Sequence, residues 1–149
     1  MRTYSTGLGI LSLALFLVAG VAVISIAAKH NGLDAEGRQF VQAAIPAIFS
    51  EWNEQELLRR ASAELRAAVR EAQLYRLFGG MSGKFGKLKH CGPMRGKANI
   101  AVEPEGLVIS GEYVAATMFA SGEAEIGLSL VKRQGEWRIT SFRLDSALF

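Results

Sequence analysis

The chain has 149 residues, with 17 Lys and Arg against 14 Asp and Glu, half of its residues apolar, three prolines and one cysteine. That length accommodates one domain and the apolar share excludes a disordered chain. Cys91 alone can form no internal disulfide, so packing and hydrogen bonds must hold the fold together.

In chain order the first predicted element is membranous. Residues 7–28 read GLGILSLALFLVAGVAVISIAA, 22 residues with 17 apolar side chains and no charge. As a helix this run is roughly 33 Å long, enough to cross a hydrocarbon core of ~30 Å once. A cleaved signal peptide is the competing reading, with small-residue patterns ending at Ala27 or Ala28, but signal cores usually span about 7–15 residues. The run therefore predicts an anchor. Arg2 and the terminal amine precede it, which predicts residues 1–6 as a cytoplasmic leader, residues 29–34 as a joint and residues 35–149 as an exported domain, periplasmic or extracellular.

Asp34 is placed to cap a helix whose apolar residues Phe40, Val41, Ala44, Ile45, Ile48 and Phe49 recur at three and four. Pro46 predicts a kink or a break at residues 43–46. Asn53 followed by Glu56 reads as a capping box opening a second helix over residues 53–77, with Leu58, Ala61, Leu65, Ala68, Val69, Ala72 and Tyr75 as its buried stripe. Residues 79–97 alternate glycines with Lys84, Lys87, Lys89, Arg95 and Lys97, which predicts a basic surface loop holding a short strand at residues 85–90.

Beyond it the period changes to two, with strands expected at residues 98–103, 107–120, 124–133 and 137–148. The separators Pro104-Glu105-Gly106, Ser121-Gly122-Glu123 and Gln134-Gly135-Glu136 predict hairpins. Ile126, Leu128 and Leu130 share one face. In the last strand Trp137 and Ile139 fall on one parity and Phe142 and Leu144 on the other, so a bulge is expected at Thr140 or Ser141. Gly111 is the expected corner of the long second strand.

Helices followed by an antiparallel meander predict an α+β domain: two or three helices on a curved sheet of four to five strands. This order, with the ending EIGLSLVKRQGEWRITSFRLDS at residues 125–146, resembles the cystatin-like, nuclear-transport-factor-two-like superfamily of cone-shaped domains, and small membrane-anchored exported bacterial proteins within it. The resemblance implies the fold. It implies no activity, because that fold serves unrelated tasks.

Chemistry-bearing motifs are sparse. GGMSGK at residues 79–84 is one residue short of a phosphate loop, and Phe85 stands where a Ser or Thr would bind magnesium. His90 and Cys91 are adjacent and on an extended chain point apart, and His30 is the sole other histidine, so neither a metal site nor a nucleophile pair is expected. Enzymes of the resembling superfamily use an acid/base residue inside the cone; Tyr113, Glu112 and Tyr75 are the candidates here, and no family catalytic set maps onto them. Residues 30–149 hold 15 basic against 14 acidic side chains, too even a balance for nucleic acid.

The sequence therefore predicts a membrane-anchored binding or scaffold domain without an identified catalytic residue, cofactor or metal. Its partners would be the bilayer through residues 7–28, and a second copy or an envelope protein. The alternative is a small-molecule or lipid-binding pocket, enzymatic or not, lined by Trp52, Tyr75, Phe78, Tyr113, Phe119 and Trp137. Lys84, Lys87, Lys89, Arg95 and Lys97 would form a basic patch able to meet anionic lipid.

Overall fold

A computed structural model describes residues 30–147. The predicted anchor at residues 7–28 lies outside the described residues, among which no helix is long and apolar enough to cross a membrane. The chain divides into two units, Met1–Leu33 and Asp34–Phe149. Of the first, residues 30–33 are described and are helical. The second is an α+β unit with helices packed on a four-stranded antiparallel sheet.

Helix α1 occupies residues 34–49 of this unit. It buries Val41, Ala44, Ile45, Ile48 and Phe49 completely, the three-and-four spacing that the sequence carries. The backbone is already helical before Asp34, so Asp34 is no cap, and of the kink or break expected at residues 43–46 the break does not occur, the helix running on through Pro46. Pro46 and Gln42 are both exposed, so the carbonyl that loses its partner there can turn to water.

The predicted helix at residues 53–77 is three helices: α2 (Glu54–Arg60), α3 (Ala63–Ala68) and α4 (Glu71–Phe85). Asn53 caps α2, its side chain accepting from Gln55 N and Glu56 N at 3.0 and 3.3 Å. The box is only half made, because the Glu56 carboxylate pairs with Arg59 and Arg60 instead. The first break has a tertiary cause. Ala61 bridges Ile139 of the sheet, Ser62 N donates to the Ile139 carbonyl at 2.8 Å, and the Ser62 hydroxyl then caps α3 by accepting from Leu65 N. The buried stripe also moves: Leu57 and Ala61 are buried, α3 buries nothing, and α4 buries Leu74, Phe78 and Phe85.

The loop expected at residues 79–97 is absent. Helix α4 continues through Gly79, Gly80 and Gly83 to Phe85, and after Gly86 and Lys87 the remainder belongs to β1 (Leu88–Glu103). Packing of Phe85 outweighs the poor helix propensity of the glycines. Strands β2 (Gly106–Phe119), β3 (Gly122–Arg133) and β4 (Glu136–Asp145) complete an up-and-down sheet in the order β1-β2-β3-β4. All three expected hairpins form. Ile126, Leu128 and Leu130 are buried together, and the pairings Ser129↔Ser141 and Leu130↔Ile139 leave Thr140 as the extra residue of a bulge, where the parity change puts it.

Candidate functional site

The space between α1 and the sheet is where a ligand pocket was expected, and at one end, against α4, it holds packed rings. Trp52 stacks on Phe119 at 5.4 Å between centroids with 25° between planes, and meets Phe78 edge-on at 5.8 Å. Phe49, Phe85 and Phe142 close the cluster at 5.5–6.2 Å. These separations are those of a solid aromatic core. Trp52 adopts a positive φ of 53° and its indole Nε1 donates to the Gly86 carbonyl at 2.8 Å, which ties the α1–α2 turn to the end of α4.

The other three pocket candidates lie elsewhere. Tyr75 is 68% exposed on α4. Trp137 is buried on β4 beneath the Lys132 ammonium, 5.8 Å from the ring centre. Tyr113 is buried on β2 beside the start of α1. Trp52, Phe78 and Phe119 thus come together, and Tyr75, Tyr113 and Trp137 do not join them.

Tyr113 belongs to a polar clamp that the sequence reading missed. The Asp34 carboxylate accepts from the backbone N–H of Ala98 at 2.8 Å and from the Tyr113 hydroxyl at 3.2 Å. Arg38, one turn on, donates to the carbonyls of Met94 and Gly96 and lies over the Tyr113 ring. Room for that ring comes from two missing side chains: a Cβ at Gly37 would lie 2.8 Å from Tyr113 Cζ, and one at Gly111 would lie 2.7 Å from Tyr113 Cε2. Gly111, expected as a strand corner, makes this close approach. The only sequence signal for the clamp was an Asp and an Arg four apart, which reads equally as a surface pair.

The clamp's protonation states are set far from neutrality. Burial raises the Asp34 carboxyl, but the Ala98 N–H, the Tyr113 hydroxyl and Arg38 together outweigh it and hold the group below its ordinary value of 3.8. Burial first, then the Asp34 charge and its hydrogen bond, push the Tyr113 hydroxyl up to about 12. A fixed anion and a fixed proton donor suit structural hydrogen bonds better than proton transfer at pH 7. Glu112 points to the opposite face of the sheet from Tyr113, as neighbours on a strand must.

The five basic residues are spread along the end of α4 and β1, all exposed, and several meet carboxylates. Lys87 reaches Glu51 at 3.7 Å, Arg95 makes a two-pronged pair with Glu125 at 2.8 and 3.1 Å, and Lys97 stands opposite Glu112 in the β1–β2 register. Tertiary packing and sheet pairing thus place acidic residues from distant sequence beside the basic run. Cys91 is partly covered, and burial pushes its thiol pKa up, which lowers its nucleophilic fraction. Among the described residues no group of three or more His, Cys, Asp or Glu could hold a metal ion.

What remains open is the sheet itself. Its outer face exposes Arg95, Lys97, Asn99, Glu112, Ala116 and Arg143, and a groove of about 440 Å³ runs there past His90, Pro93, Met118 and Asp145. The β1–β2 hairpin also reaches beyond β3, whose pairing with β2 starts only at Ile109↔Lys132. On that projecting end Val102 is 86% and Leu107 57% exposed. Comparisons with protein-family models, with curated proteins and with solved structures found no match.

Proposed function

We propose that this chain is a membrane-tethered, exported interaction domain: residues 7–28 hold it to the bilayer, and its α+β unit offers the open side and edge of the sheet to a protein partner. The observation that carries this reading is the filled aromatic interior from Phe49 to Phe142, set against an apolar hairpin end left in solvent. A ligand-handling member of a cone-shaped fold needs a cavity between helix and sheet; here rings in contact occupy the Trp52 end, and the Tyr113 end is closed by hydrogen bonds. The order of helices followed by a meander supports placing the unit in the cystatin-like, nuclear-transport-factor-two-like superfamily, whose members pair through sheet faces.

Two measurements on the full chain expressed in a Gram-negative host test the proposal. Protease added to spheroplasts should degrade the unit from Asp34 onward while the chain stays in the membrane fraction. Native mass spectrometry of the detergent-extracted protein should show no retained small molecule. A protected unit, a chain released in soluble form, or a stoichiometric bound ligand would each overturn the reading.

A further inference from the structure

Sheet edges are templates for further pairing, and proteins blunt them. Parts of both edges of this sheet are blunted. On β4, the Ala61 bridge and the Ser62 N–H cover Ile139, and Arg138 donates to the Arg59 carbonyl. On β1, register shifts at Leu88/His90 and Cys91/Met94, with Pro93 between them, distort the first half. Arg38 then takes the carbonyls of Met94 and Gly96, and Asp34 takes the N–H of Ala98. Past Ala98 the protection stops among the described residues, and the side chains there are β-branched and apolar: Ile100 and Val102.

The direction of the free groups follows from the register. Because the N–H of Ala98 points away from β2 to Asp34, and pairing is regular from Met94 to Glu103, the N–H and C=O of Ile100 and Val102 also point outward. We propose that this edge pairs antiparallel with the same segment of a second copy, about a two-fold axis at Ala101. The inference rests on the interaction-domain reading and names its partner.

Only this register satisfies the edge. It sets Ile100 against the partner copy's Val102, each exchanging N–H and C=O, and the two-fold repeats the exchange. Shifting the axis to Ile100 would demand the Ala98 N–H that Asp34 already holds. With the axis at Ala101, Asn99 faces Glu103 across the junction, an amide donor opposite a carboxylate. On the other face Val102 of each copy gains the partner copy's Ile100 as its direct cross-strand neighbour, an apolar pair on each side of the two-fold axis.

Disulfide trapping in the membrane-embedded full chain, with Cys91→Ser as background, reads the register directly. Two Ala101→Cys residues would face each other at a non-hydrogen-bonded position with Cα atoms about 4.5 Å apart, within disulfide reach. Asn99→Cys alone places its thiols four residues out of step, roughly 13 Å apart, and so does Glu103→Cys alone. The expected result is a covalent dimer from Ala101→Cys, none from either flanking variant alone, and a dimer again when Asn99→Cys and Glu103→Cys are co-expressed. Adding Val102→Pro, which removes an outward donor and leaves the β1–β2 ladder intact, should lower trapping about tenfold. No dimer from both Ala101→Cys and the mixed pair, or equal yields at all three positions, overturns the pairing. Such a result beside a protease-accessible, membrane-bound unit would leave the tethered interaction domain standing with a different partner.

Discussion

The Asp34 carboxylate on α1 accepts the backbone N–H of Ala98 on β1 at 2.8 Å, so a helix side chain occupies the place that a neighbouring strand would take at the sheet edge. Arg38 completes the substitution by donating to the two preceding outward carbonyls. The pair joins helix to sheet and, in the same contacts, decides where the free edge begins.

Replacing Asp34 separates the hydrogen bond from the charge. Asp34→Ala leaves the Ala98 N–H without its acceptor and should lower unfolding free energy by about 1–3 kcal/mol in urea titrations. Asp34→Asn keeps an acceptor and should cost less. Because the folded carboxyl lies below its ordinary value, its charge stabilises the fold above pH ~4, and that contribution disappears as pH falls through the folded value. The acid limb of stability should therefore be shallower in Asp34→Asn. An unchanged limb would show that the other paired carboxylates, Glu36, Glu56, Glu64 and Glu125, dominate it.

Gly37→Ala should destabilise, although alanine is favoured over glycine in a helix by about 1 kcal/mol. The new methyl would lie 2.8 Å from Cζ and 2.9 Å from Cε2 of Tyr113 and closer still to its hydroxyl, and such overpacking costs about 1–3 kcal/mol. In a Tyr113→Phe background the penalty should shrink, since the nearest atom is gone. Equal penalties in both backgrounds, measured by chemical denaturation, would refute the close approach.

Trp52→Phe keeps a ring against Phe119 but loses the donor to the Gly86 carbonyl. A loss of about 1–2 kcal/mol is expected, against about 3–5 kcal/mol for Trp52→Ala, which empties the middle of the cluster. If the two variants unfold at the same denaturant concentration, the interior is not packed as described and the case against an internal ligand weakens with it.

Cys91 should alkylate slowly. Burial raises its thiol pKa, so at pH 8 iodoacetamide should react with the native chain several-fold more slowly than with the same chain in denaturant. A native rate matching or exceeding the denatured one would reopen the nucleophile reading of His90 and Cys91.

By itself the sequence determined what depends on neighbours along the chain. Alternation and short glycine-bearing turns are local, so the meander and its hairpins were legible. So was the Thr140 bulge, because an extra residue changes side-chain parity from Ile139 to Phe142 within one strand. The tertiary structure alone decided whatever depends on a distant partner. Ser62 ends a helix because Ile139 offers a carbonyl, and the glycines from Gly79 to Gly83 stay helical because Phe85 has Trp52 and Phe119 to pack against. Asp34 turns from a cap into an edge clamp because Ala98 presents an N–H there. In each case the deciding partner lies at least 33 residues away, beyond the range of any helix or strand periodicity.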